Sequence, residues 1–239
     1  ALLKDSILVR HARHLAGDYD LLISTSGEHD LGGHGLQYVH FPRFEPFSPP
    51  DPTPLHHRAL PVQLYRRGVF RVTGTVRARV GRNRTLANSA WVAQRYRALH
   101  DAAVEVLHPP AAGPFPDVPW EARADGVVCI GRFGRSKRLE VIIEIVERVR
   151  AAGSPLRLHV VGLADDPDYA AEIRRLANAR RDWITLYEGL SRAELCALIA
   201  GQRYGIHGMV AEHFSMAVAE LVAGGCISFV PDDGGQCEI

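Results

Sequence analysis

In the stretch Gly205-Ile-His-Gly-Met-Val-Ala-Glu212-His213-Phe214-Ser215-Met216-Ala-Val-Ala-Glu220-Leu, two carboxylates stand eight residues apart. The pattern predicts Glu212 at a helix N-terminus and Glu220 about two turns inside, a rise of about 12 Å. Between them, the unpaired N–H groups of a first helical turn, around Phe214, Ser215 and Met216, favour an anion. Carboxylates accept hydrogen bonds from hydroxyls, so the segment suits a ligand with sugar hydroxyls at both ends and a diphosphate in the middle. Glu212 would then read a hexose and Glu220 a ribose. Taken alone, two such glutamates are an ordinary helix start and a solvated helix position; their surroundings change that reading. Gly131-Arg132-Phe-Gly-Arg135-Ser-Lys137-Arg138 follows a predicted strand and opens a helix. Two cations there could hold a departing diphosphate by fixed positive charge, without a metal; a solvated basic loop is the ordinary reading. Near the C-terminus, Gly234-Gly235 again follows a strand, where bare backbone can approach phosphate or sugar closely.

The elements that must carry these residues alternate regularly. Short apolar runs at 127–131, 156–162, 183–189, 204–207 and 226–230 predict strands. Helical spacing predicts helices over 137–152, 167–180 and 214–223, and the capping box Ser191-Arg-Ala-Glu194 opens another. Strand and helix in alternation with Gly-containing joints predict a parallel, doubly wound α/β sheet over 127–239. Residues 111–126 are proline-dense and read as a linker. Residues 1–110 predict part of a second α/β domain, with strands near 19–25, 36–41 and 85–89. Seven prolines between 42 and 61 predict a surface loop there.

Composition excludes several classes. The chain has 239 residues, and its 28 Lys+Arg against 27 Asp+Glu rule out a histone-like or acidic-tail protein. No apolar run approaches the ~18–20 residues of a membrane-spanning helix. The start has neither a signal-peptide pattern nor Met, which points to a trimmed or partial chain. Four scattered cysteines without Cys-x-x-Cys favour a reduced, cytoplasmic protein over a zinc ribbon or disulfide scaffold. Asp18-Tyr-Asp20 precedes a strand rather than following one, and the histidines lack ligand spacing, so no metal site is expected. Arg66, Arg67, Arg71, Arg77, Arg79, Arg82 and Arg84 form a basic run with no intervening acid. A solvated face is its ordinary reading; the functional one is peripheral contact with anionic lipid or a lipid-diphosphate acceptor, at ~1 kcal/mol per basic residue. Nucleic acid is disfavoured by sparse aromatics and near-neutral charge.

Together, Gly131-Arg132-Phe133…Lys137, Glu212-x7-Glu220 and Gly234-Gly235-x-x-Glu238-Ile239 resemble the retaining GT-B glycosyltransferases of family 4. Asn88-Ser89-Ala-Trp91 is similar to the element closing that family's first domain. Ile206-His207-Gly-Met209-Val-Ala-Glu212-His213-Phe214 and Leu36-Gln37-Tyr38-Val39-His40-Phe41-Pro42 resemble the dolichol-pathway mannosyltransferase branch. The resemblance implies two Rossmann-like domains: a partial N-terminal acceptor-side one in 1–110 and a donor-binding one in 127–239, both incomplete at their outer ends. It implies retaining transfer of a hexose, best guessed as mannose from GDP-mannose, to a glycan or lipid-linked hydroxyl, with no cofactor and no obligatory metal. UDP-glucose or UDP-N-acetylglucosamine is the second donor class; a phosphorylase and a non-catalytic nucleotide-sugar-binding protein are the rival functions. Arg132 and Lys137 would stabilise the leaving diphosphate, and Glu212 would hold the sugar. Glu220 would bind the ribose, and the backbone of His213, Phe214, Ser215 and Met216, with Gly234 and Gly235, would line the donor. His40 would face the donor sugar and acceptor, the alternative being a buried strand histidine bonded to backbone.

Overall fold

The computed structural model describes residues 2–44 and 60–239, which divide into two units: Ala1–Pro109 with Glu238, and Pro110–Cys237 with Ile239.

In the first unit, the described elements are helix α1 (Leu2–His14), strands β1 (Ile23–Ser24) and β2 (Leu36–Val39), helices α2 (Leu60–Thr73) and α3 (Arg77–Val80), strand β3 (Arg84–Ala87), helix α4 (Ala90–His100) and strand β4 (Glu105–Val106). The strands form a parallel sheet in the order β1-β2-β3-β4. Val39, Ala87, Val92, Ala93, Tyr96 and Val104 make its buried apolar cluster. Beside it Gln37, fully buried, donates to Thr85 Oγ1 at 2.9 Å and Tyr96 Oη at 2.6 Å and accepts from Asn83. A buried amide is tolerated only when satisfied in this way. Ser89 caps α4 by accepting from Val92 N.

Several expectations for this unit need correction. The strands are shorter than the apolar runs, and the helical character of 2–14, 60–73 and 90–100 was not expected. Of the predicted 42–61 loop, residues 45–59 lie outside the described residues, and Leu60 and Pro61 already belong to α2. The arginine run is not one uniform solvated face. Arg79 reaches the buried Asp30 at 2.8 Å, which Arg13 also contacts at 3.2 Å, and Arg84 pairs with Glu105. Arg66 donates to the Arg43 carbonyl and Arg77 to that of Leu99, while Arg67, Arg71 and Arg82 are exposed.

The second unit holds β5 (Ala124–Ile130), α5 (Leu139–Ala151), β6 (Arg157–Val161), α6 (Pro167–Asn178), β7 (Ile184–Tyr187), α7 (Arg192–Ala200), β8 (Gln202–Ile206), α8 (Met216–Ala223) and β9 (Ile227–Phe229). Its five parallel strands run β7-β6-β5-β8-β9. The chain therefore winds outward from β5 to β7, then returns to β5's other side for β8 and β9. Alternation along the central strands splits the core in two. Val127, Cys129, Leu158 and Val160 join α5 and α6 residues such as Ile142, Ile143, Val146 and Ile173. Val128 and Val161 face Ile199 of α7 and Leu221 of α8. Helices thus cover both faces, as right-handed crossovers in a doubly wound sheet require. The Ser191–Glu194 capping box forms as expected, its two hydrogen bonds satisfying the start of α7.

Candidate functional site

A doubly wound sheet leaves a crevice at the carboxyl ends of the strands where the winding reverses. Here that point lies between the adjacent strands β5 and β8, and the loops leaving them carry most of the residues singled out by the sequence. After β5, residues 131–138 include a 3-10 turn at Arg135–Lys137 and a left-handed Arg138 (φ 52°) that opens α5. After β8, residues 207–215 include left-handed Ala211 (φ 55°) and Ser215 (φ 79°). Among the described residues only four non-glycine positions have positive φ, and three of them stand in these two loops. Such strain persists only where surrounding contacts fix it, and it collects at functional sites.

Side chains from the two loops meet at Glu212. Lys137 Nζ lies 2.6 Å from Glu212 Oε2, and His207 Nε2 lies 3.1 Å from the same oxygen. Lys137 also approaches Met209 Sδ at 3.3 Å. The Lys137 and Glu212 side chains keep 21% and 14% of their exposure, so the pair is sheltered but reachable. Burial is the largest single influence on the Glu212 carboxyl and pushes it up; the His207 hydrogen bond and the Lys137 charge and hydrogen bond together outweigh it. The result holds Glu212 at about 2, ionised at any physiological pH.

The backbone around Glu212 is held by the C-terminal glycines. Glu212 bridges to Gly234, and Gly235 N–H donates to the Glu212 carbonyl at 2.8 Å. Gly234 has φ +90°, and a Cβ there would fall 2.4 Å from the Glu212 carbonyl oxygen. Gly208 serves the same end on the other side, since its Cβ would lie 2.6 Å from the Lys137 carbonyl. Gln236 completes the support by donating to the Met209 and Asp233 carbonyls at 2.9 Å.

Three details differ from expectation. Glu212 is not a helix-start residue: α8 begins at Met216 with Ser215 as its cap, and Glu212 sits in the strained loop before it. Glu220 is consequently just over one turn inside the helix, and the 12 Å helical rise does not describe the separation of the acids. Gly234 and Gly235 are buried against Glu212 and position it instead of presenting bare backbone outward. Ser215 Oγ accepts from Val218 N, so the first-turn N–H groups of Met216 and Ala217 are those left for a ligand. Phe214 is buried and Met216 is 42% exposed. His213 N–H points back to Glu212 Oε1 at 3.3 Å.

The remaining predicted residues are placed as follows. Arg132 begins the β5 loop, exposed, and is engaged by Asp165 at 2.8 Å. Glu220 is held by Arg192 of α7 at 2.7 Å. In the first unit His40 follows β2 at the carboxyl end of its sheet; it is exposed, with Nε2 3.0 Å from the Thr25 carbonyl and its ring edge-on to Tyr38. It is therefore not a buried strand histidine, although it does bond backbone.

His207 contacts Glu212 and Arg192 contacts Glu220, and neither was among the residues singled out from the sequence. His207 directly ends a predicted strand and so reads as its last residue. Its signal was its place in the 206–214 motif, five residues before Glu212.

Comparison with known proteins places the chain in a family and a fold. Residues 113–239, more than half of the chain, match the family Glycosyl transferases group 1. The chain belongs to that family. Its fold is similar to a glycosyltransferase from Rickettsia africae ESF-5 (TM-score 0.64, 14% identity, 99% of this chain and 64% of that one). It is also similar to Anabaena Alr3699/HepE, solved in complex with UDP (TM-score 0.66, 17% identity, 97% and 65%). The chain thus spans less than two thirds of the length of either structure. No curated protein sequence matches it. The two parallel sheets with alternating helices are those of the GT-B glycosyltransferase fold.

Proposed function

We propose that the second unit binds a nucleotide-diphosphate sugar over the carboxyl ends of β5 and β8, and that the protein transfers the hexose to an acceptor hydroxyl with retained configuration and no obligatory metal. The observation that carries this reading is the Lys137–Glu212–His207 cluster, set in strained loops beside the N-terminus of α8. A carboxylate held ionised accepts hydrogen bonds from hexose hydroxyls but repels phosphate, so Glu212 suits the sugar end. Lys137 and Arg132 supply positive charge for the diphosphate as it departs, aided by the Met216 and Ala217 N–H groups and the positive end of the helix. Glu220, farther along α8, takes the ribose.

Mannose from GDP-mannose is the favoured donor, on the motif resemblance of 206–214 and 36–42. UDP-glucose and UDP-N-acetylglucosamine come second, and the UDP held by the Anabaena neighbour makes that nucleotide the one to test beside GDP. The acceptor is a glycan or lipid-linked hydroxyl, with His40 in the first unit as the residue that meets it. Peripheral contact with anionic lipid on the cytoplasmic face rests on Arg67, Arg71 and Arg82, which are exposed, in a stretch without acids. Among the described residues no helix is long and apolar enough to cross a membrane.

Thermal unfolding with UDP- and GDP-sugars tests the donor site. A donor at about 100 times its Kd stabilises by about 2.7 kcal/mol, a rise of several degrees for a domain of this size. Glu212→Ala and Glu220→Ala should each blunt the rise. If no donor raises the transition, or both variants respond like the parent, the site assignment is wrong. Stabilisation without sugar transfer to any acceptor would instead favour a donor-binding protein that does not turn over.

A further inference from the structure

We infer that Arg192 is a positioning residue of the donor site, holding Glu220 in the orientation that reads the ribose and cancelling its charge so that a diphosphate can lie nearby. The inference rests on the donor-site reading above. Arg192 is the first residue of α7, whose start is fixed by the Ser191–Glu194 capping box. Its guanidinium divides between two targets: one terminal nitrogen donates to Glu220 Oε1 at 2.7 Å, the other to the Ala112 carbonyl. It also lies 5.9 Å from the centre of the Phe115 ring. Two anchors on a planar fork remove the rotation that a single ion pair would leave. The Glu220 side chain is 16% exposed, and its Oε2 makes no hydrogen bond among the described residues, so that oxygen is available to a hydroxyl.

The charge pattern is the second part of the reasoning. Two ionised glutamates flanking a diphosphate would repel it. Each is met by a cation, Lys137 on Glu212 and Arg192 on Glu220, which offsets the acid's charge where the diphosphate would lie. Lysine at 192 would keep the charge but could not serve both Glu220 and Ala112.

The test uses the 239-residue chain and isothermal titration with UDP and GDP, each as the ribose and the 2′-deoxyribose form. A hydrogen bond from a ribose hydroxyl to a charged acceptor corresponds to about a tenfold preference for the ribose form in the parent. Arg192→Ala should lower ribonucleotide affinity about tenfold and shrink that preference to about twofold or less. Arg192→Lys should retain affinity within about threefold and give an intermediate preference. Circular dichroism and the unfolding temperature establish that each variant is folded; should Arg192→Ala not fold, Arg192→Lys and Arg192→Gln carry the comparison. A folded variant that discriminates as the parent does overturns the role of Arg192 alone. A parent that binds without discriminating overturns the ribose-reading of Glu220 and this inference with it. A parent that binds neither nucleotide overturns the donor site itself.

Discussion

Lys137→Ala probes the centre of the site directly. It removes the ammonium 2.6 Å from Glu212 Oε2 and leaves that sheltered carboxylate with the hydrogen bonds from His207 and the His213 N–H but no paired lysine. At an effective dielectric of ~20, the gross attraction across 2.6 Å is about 6 kcal/mol. Desolvation of both groups opposes most of it. Exposed pairs are worth at most ~1 kcal/mol, and breaking a fully buried pair costs ~3–5. With side chains 21% and 14% exposed, this pair falls between, and the expected loss is about 2 kcal/mol. Urea unfolding followed by Trp183, which is buried in the second unit, measures it. The double-mutant cycle with Glu212→Gln should give a coupling of about 1–3 kcal/mol at pH 7. The coupling should fade as pH drops toward 2, where Glu212 takes up its proton. A loss below ~0.5 kcal/mol with negligible coupling would refute the view that these two side chains hold each other in place.

Other consequences follow from the same geometry. Because Glu212 is lowered from 4.5 to about 2, its contribution to stability is fully present above pH 4.5 and disappears as pH falls through 2. Linkage puts that contribution at about 3 kcal/mol, and Glu212→Gln should flatten the acid limb of a pH–stability profile accordingly. Gly234→Ala forces a Cβ against the Glu212 carbonyl at a left-handed φ. It should cost at least ~1–3 kcal/mol and weaken donor binding, read by the same unfolding and titration assays. Ser191→Ala removes the cap of α7 and should cost about 1 kcal/mol. Its companion measurement is the ribose preference, which should fall if the α7 start orients Arg192 and hold if it does not.

Much of the second unit was legible because its residues obey one period at a time. Leu139, Ile142, Ile143 and Val146 recur at helical spacing and are the buried face of α5. The first unit resisted because its interior is partly polar. Gln37, Asn83, Thr85, Glu28 and Asp30 are all buried, and their hydrogen bonds join residues far apart in sequence. The helix α1 buries only Ser6, so no apolar stripe marks it. At the site, residue types and order were readable, including Lys137, one of only two lysines in a chain otherwise basic through arginine. Its direct pairing with Glu212 was not, since the contact spans 75 positions and depends on which strands are neighbours. The loop strain at Ala211 and Ser215 left no mark either, because neither residue type signals a left-handed backbone. That Gly234 and Gly235 close on the Glu212 backbone was illegible for a related reason: glycine announces close approach, but only the fold decides what approaches.

The donor site is most directly tested by amide chemical shifts of the ¹⁵N-labelled chain during titration with a nucleotide sugar. The largest changes should fall on 131–138 and 207–217, the two loops and the first turn of α8, with Glu220 and Arg192 following. Changes concentrated elsewhere in the second unit, with those two loops silent at saturation, would contradict the assignment.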